Sequence, residues 1–347
     1  MAAKVYSTGP PAFKKPVPMT PPLTTWDPAF LKRKAELPEQ IFTLKSGRFL
    51  GYYAEGKPED PAVLCFASAG FNVSSLIPKE PVPGAFMVYV NQMGHGGSSP
   101  LESKVVFSER VPEILELADG LKIEKFHVSG HSCGGVLASQ IAAAYPERVL
   151  GLAIISSPGN MYHSSISKKE RKEIDKAGAA NLDMSGCMGV LFRKLALDGN
   201  YYYADKSKDF GFTGHAVGGY SYYSGAYTGG CPKIMKSDHY FISKMLDAEL
   251  NGSNSYLGMR HEMQGVWSHQ GWSYDITTIK CPTFVYGEID GEVAVTFHEL
   301  THKLIPGSEL VLWKAHGHVS IAMESAGIFA ALVQGKSFPG DYGNAEV

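Results

Sequence analysis

Paired cysteines are missing from this chain. Its five cysteines, Cys65, Cys133, Cys187, Cys231 and Cys281, are odd in number, scattered, and never spaced C-x-x-C. That argues against a disulfide framework or a zinc module, and for reduced thiols in a reducing, cytoplasmic compartment. An excess of charge is missing too: 32 Lys and Arg stand against 34 Asp and Glu, a net charge of −2. Without a long basic run there is no electrostatic footprint for a nucleic-acid partner. No stretch approaches the roughly 18 apolar residues that a membrane span needs. The first 30 residues lack the apolar centre of a secretory signal. Acidic residues are absent before Asp27, which faintly suggests an organelle transit peptide. Many prolines and a single arginine, Arg33, favour instead a Pro-rich arm over residues 1–38, lying on the surface or disordered.

What is present describes a soluble globular protein with a substantial core: 44% hydrophobic and 19% charged residues. "QIFTLKSGRFLGYYAEG" (40–56) reads as two strands joined by a Ser-Gly turn. "AVLCFAS" (62–68), "AFMVYVNQ" (85–92), "KFHVSG" (125–130) and "VLGLAIISS" (149–157) are dense apolar runs. Such runs suit strands of a sheet buried on both faces. Between them, residues 109–121 and 134–149 carry helical spacing. Strand alternating with helix implies βαβ units and a doubly wound, mostly parallel α/β sheet. The alternation stops near Gly159 and returns near residue 276, with "TFVYG" (283–287), "ELVLW" (309–313) and a last helix over 320–333. The reading is therefore a core of 39–158 and 276–347, interrupted by an inserted, largely helical lid over 159–275. A Tyr/Gly-rich stretch (210–230) lies within that insertion.

"FHVSGHSCGGVLASQ" (126–140) places Ser132 where a buried strand stops and a helix begins. A Gly-x-Ser-x-Gly pattern alone is weak in a chain with 38 glycines. The junction gives it weight, because a strained turn there lifts a hydroxyl clear of the sheet edge. Gly130 and Gly134 supply the small neighbours that the turn requires. The N–H of Cys133, at a helix N-terminus, points toward a forming oxyanion. A serine nucleophile needs a base, and the base needs an orienting acid. Both are expected at the carboxyl ends of later strands. "EIDGE" offers Glu288, Asp290 and Glu292, and "KAHGHVSI" offers His316 and His318.

Together these stretches resemble the α/β-hydrolase fold family, in its lid-bearing branch of esterases, lactonases and C–C hydrolases. The likeness covers about residues 42–158 and 279–333. "CFASAGF" stands at the oxyanion loop, "NQMGHGGSSP" at the Gly-His-Gly turn, and "CPTFVYGEIDGEV" and "AHGHVSI" at the acid and histidine motifs. The resemblance implies Ser132 as nucleophile, Asp290 as acid, His318 as base, and the Phe71 and Cys133 amides as oxyanion hole. It implies His95 and His131 as structural residues. Two departures stand out: Ala69-Gly70-Phe71 replaces His-Gly-x, and Asn91 replaces the common aspartate before the Gly-His-Gly turn.

The expected chemistry is cofactor-free and metal-free hydrolysis of a small-molecule carboxylic ester or lactone. C–C bond hydrolysis, acyl transfer or a lyase step on the same triad stay open, as does a receptor-like member with little turnover. "HEMQG" (261–265) starts like a zinc-binding helix but lacks the second histidine. Cys133 reads as a small buried residue rather than a thiol nucleophile.

Overall fold

Short, β-branched and aromatic runs form one eight-stranded sheet in the computed structural model. It describes residues 27–100, 106–176, 239–250, 262, 265–266, 272–289, 293, 295–314, 316–318 and 320–339. The strands are β1 (Gln40–Thr43), β2 (Phe49–Glu55), β3 (Ala62–Phe66), β4 (Phe86–Val90), β5 (Phe126–His131), β6 (Val149–Ile155), β7 (Thr283–Glu288) and β8 (Glu309–Trp313). Their order is β1-β2-β4-β3-β5-β6-β7-β8. Only β1–β2 and β2–β4 pair antiparallel; β4, β3, β5, β6, β7 and β8 run parallel.

Helices cover both faces: α1 (Pro28–Glu36), α2 (Phe107–Gly120), α3 (Cys133–Ala144), α4 (Lys168–Lys176), α5 (His239–Leu250), α6 (Val295–Leu304) and α7 (Ser325–Val333). The period of two in the strands sorts the core. Leu64, Val88, Val128 and Ile154 pack with residues of α2 and α3, including Val111, Ile114, Val136 and Ile141. Val63, Cys65, Met87, Tyr89 and Ile155 pack on the other face with Phe329 and Leu332 of α7 and Met245 of α5. The predicted doubly wound sheet is therefore the observed one.

Of the expected Pro-rich arm, residues 28–36 form helix α1. Asp27 caps it, its carboxylate accepting from the Ala29 and Phe30 amides, and Pro28 fills the first helical position. Arg33 forms a largely buried ion pair with Glu55 of β2. Lys34 Nζ reaches Asp247 Oδ1 of α5 at 2.7 Å, and the Asp27 amide donates to Ser243 Oγ at 3.0 Å. Helix α1 thus fastens α5, part of the predicted lid, to the sheet. Residues 1–26, the Tyr/Gly-rich stretch and Trp267 lie outside the described residues.

Candidate active site

The carboxyl edge of the parallel strands gathers the candidate residues. At the end of β5 the chain turns into α3 through Ser132, whose φ is +56° and ψ −124°. A non-glycine residue in that region is strained by about 1–3 kcal/mol and persists only where its surroundings over-determine it. Here they do. A Cβ on Gly130 would collide with the Gly134 carbonyl, and one on Gly134 with the carbonyls of Phe66 and Ala67. The Ser132 amide donates to Ile155 O at 2.9 Å, which ties the turn to the end of β6.

That bond recurs one strand further along. Ser156, following β6, has φ +43° and donates its amide to Tyr286 O of β7 at 2.7 Å. Ile289, following β7, donates to Trp313 O of β8 at 3.0 Å. The loop ends carrying the site are thus each fixed to the neighbouring strand.

His318 is buried beside the serine turn. Its backbone carbonyl lies 2.7 Å from His131 Nε2, and the two rings stack with centroids 4.8 Å apart. Burial, together with the neighbouring His318, lowers the His131 pKa to about 3. His131 is therefore neutral and donates from Nε2. On its other side, His318 Nδ1 lies 2.5 Å from Ser156 Oγ, and Ser156 Oγ lies 2.8 Å from Glu288 Oε1. The direct Nδ1–Oε1 separation is 3.6 Å, beyond a good hydrogen bond. Glu288 is fully buried, and its Oε2 faces His298 Nε2 of α6 at 3.5 Å. Burial pushes the Glu288 carboxyl toward neutrality, but His298 and His318 outweigh it and hold the group well below the usual carboxylate range.

The Ala69-Gly70-Phe71 loop is held from several sides. Gly70, at φ +80°, makes the turn, and its amide donates to His95 Nε2 at 3.0 Å. His95 is kept neutral, with a pKa lowered to about 4 by burial. Its Nδ1 lies 3.3 Å from Met93 O and donates there. The Phe71 amide donates to Ser68 O at 3.2 Å, and the Asn72 amide to Ala248 O of α5 at 2.7 Å. Asn91 accepts from the Val73 amide at 2.8 Å and donates Nδ2 to Glu39 Oε1 at 2.5 Å. An aspartate could not donate there, so the amide at 91 is the complement of Glu39.

A second buried carboxyl lies on this side. Glu262 Oε1 accepts from Gln92 Nε2 at 2.9 Å, and Oε2 lies 3.3 Å from His95 Nε2. Burial raises its pKa to about 8, only partly offset by the Gln92 amide. Burial and then the nearby Glu262 push the Cys133 thiol well above its usual range. Cys133 is the first residue of α3, with its side chain buried as expected of a packing residue.

The structure brings Ser132, His131, His318 and the Ala69-Gly70-Phe71 loop to one edge. Asp290 lies outside the described residues; the carboxylate they bring to His318 is Glu288. His316 sits elsewhere, against the Trp313 ring at 5.4 Å and Glu324 Oε1 at 3.4 Å. Trp272 donates Nε1 to Val266 O and packs on the core. Among the described residues no cluster of three His, Cys, Asp or Glu could hold a metal, and no helix is long and apolar enough to cross a membrane. Sequence reasoning did not single out Ser156 or His298, which the structure places beside Glu288.

Comparison with known proteins gives the following. A family model described as alpha/beta hydrolase fold matches residues 67–321. A provisionally named 2-succinyl-6-hydroxy-2,4-cyclohexadiene-1-carboxylate synthase of Bacillus subtilis (strain 168) is 35% identical over 109 residues, 30% of this chain and 40% of that protein. A human serine hydrolase-like protein is 34% identical over 110 residues, 30% of this chain and 54% of that one. The chain therefore spans about half or less of these curated relatives. The crystal structure of the enol-lactonase from Burkholderia xenovorans LB400 superposes with a TM-score of 0.58 at 16% identity, covering 84% of this chain and 96% of that one.

Proposed function

The chain belongs to the α/β-hydrolase fold family, and from that premise we propose that it is a serine hydrolase acting on a small carboxylic ester or lactone. The observation that carries the reading is the Ser132 turn. Its φ of +56° is enforced by two glycines that admit no side chain, at the start of a helix.

In the proposed mechanism the Ser132 hydroxyl attacks the carbonyl carbon while His318 takes its proton. The contacts at Nδ1 favour one tautomer. Nδ1–H donates toward Ser156 and Glu288, which leaves Nε2 to act as base. A tetrahedral oxyanion would be stabilised by the amides of Cys133 and Phe71, and would compete with Ser68 O for the latter. Collapse expels the alcohol, protonated by His318. Water, deprotonated by the same histidine, then releases the acid from the acyl-enzyme. No cofactor enters.

The acid is assigned to Glu288, the carboxylate within reach of His318; the sequence pattern favours Asp290. Glu288→Gln and Asp290→Asn, assayed side by side, decide between them. The reading as a whole is tested with Ser132→Ala against a panel of aryl esters, thioesters, lactones and diketones. Loss of turnover in a folded variant, with alcohol and acid as wild-type products, is the expected result. Full activity in Ser132→Ala would sink it, and carbon–carbon cleavage products would move the chemistry elsewhere on the same site.

A further inference from the structure

Standard Ser-His-acid sites place the carboxylate directly on the imidazole. Here a hydroxyl stands between them. We infer that Ser156 is a positioning residue that couples the buried Glu288 carboxylate to His318, so that the base is oriented through a serine relay. The inference rests on the serine-hydrolase reading above and deepens it.

Three observations converge on Ser156. Its Oγ is within hydrogen-bond distance of both groups, 2.5 Å from His318 Nδ1 and 2.8 Å from Glu288 Oε1, while those two lie 3.6 Å apart. Ionised Glu288 can only accept, so the Ser156 hydroxyl donates to it and its oxygen accepts from Nδ1–H. Each hydrogen is then used once, and the direction of the chain is fixed. Ser156 is also fully buried and held at φ +43°, its amide bonded to Tyr286 O. An extended backbone would not hold this side chain in the same place, so the strain locates the hydroxyl.

The chain continues beyond the acid. His298 Nε2 stands 3.5 Å from Glu288 Oε2, with both side chains fully buried. Among the described residues, the titratable groups around His318 include Glu288 on one side, with His298 behind it, and the His131 ring on the other. No carboxylate within the described residues approaches His318 more closely than Glu288.

The test reads the rate at which a fluorophosphonate probe labels Ser132, mapped by peptide, across pH. Ser156→Ala should slow labelling about 100-fold, by analogy with losing the orienting partner of a triad histidine. The rising limb of rate against pH should also move to lower pH, because the imidazolium loses its coupled anion. Ser156→Gly, which relaxes the backbone as well, separates strain from hydroxyl and should be equally slow. Glu288→Gln should be slow too, and Ser156→Ala/Glu288→Gln no slower than either single variant. Ser156→Asp/Glu288→Gln should recover much of the rate: aspartate tolerates positive φ and would reach Nδ1 itself.

Labelling of Ser156→Ala within twofold of wild type, an unmoved pH limb, or additive losses in the double variant would overturn the relay while leaving the hydrolase reading intact. No label on Ser132 in the wild-type chain would overturn both.

Discussion

Two fully buried carboxyls flank the Ser132 turn, and they end in opposite charge states. Glu288 lies between His298 and His318 and is held ionised; Glu262 lies between the amide of Gln92 and a neutral His95 and is pushed to a pKa of about 8. Burial acts on both in the same direction. What separates them is the company each keeps. Glu288 faces the rings of His298 and His318, which outweigh the cost of burial. Glu262 faces one ring whose Nε2 already accepts from Gly70 and whose own pKa is lowered to about 4. In the proposed mechanism the base would therefore stand beside an ionised carboxylate, while the oxyanion side would stay neutral and would not repel a forming alkoxide.

The comparison breaks most severely at Glu288. Glu288→Gln should cut kcat/KM by up to about 10⁴-fold, the loss seen when a triad's acid becomes an amide. KM should change little. Asp290→Asn should leave most of the activity if Glu288 is the acid, and steady-state kinetics on one ester distinguishes them.

The next largest effect concerns Glu262. Its folded pKa is raised, so the native state keeps a proton that the unfolded chain releases above about 4.5. Stability should therefore fall as pH rises between about 4.5 and 8, by about 1.4 kcal/mol per unit. Glu262→Gln should remove that slope, which denaturant midpoints at pH 5, 6.5 and 8 would reveal. Parallel curves for wild type and variant would mean that Glu262 is ionised like Glu288.

The histidines give the opposite slope. His131 and His95 have lowered folded pKa values of about 3 and 4. The stability they contribute is fully present above about 6.5 and is lost as pH falls toward those values. Each should cost about 1.4 kcal/mol per unit over its window. Replacing His131 by Asn should flatten the acid side of the stability curve, measured by calorimetry between pH 4 and 7.

The smallest effect sharpens the comparison by building a third carboxyl pair. Asn91→Asp sets a carboxylate against Glu39 Oε1, where the amide now donates. The variant should lose about 1–2 kcal/mol of unfolding free energy at pH 7 and recover part of it at pH 4. Equal loss at both pH values would point to lost shape rather than charge.

Much of this was legible before the structure. The strained turn at Ser132 was, because Gly130 and Gly134 are explained by backbone clashes that a sequence pattern encodes locally. The parallel strands were, because residues buried on both faces read as continuous apolar runs. Other parts depend on distance rather than pattern. Nothing in the local sequence marks Ser156; its proposed role needs the ends of β6 and β7 side by side and a positive φ. His298 lies on a helix face with nothing in the local sequence to mark it. The choice between Glu288 and Asp290 turns on which side chain a strand end points inward, a matter of one or two residues of register. Helix α1 hid within a Pro-rich stretch although Asp27-Pro28 is a helix-start signal.

The stepped bonds from Ser132, Ser156 and Ile289 to the next strand over bear on how the molecule would fail on heating. Each of these amides can exchange its hydrogen with solvent only when its neighbouring strand lets go. The groups that would do the chemistry are therefore wired into the cooperative unit itself. Warmed slowly, such a protein should not pass through a range in which it is folded but idle: catalysis and sheet should vanish together, at one temperature.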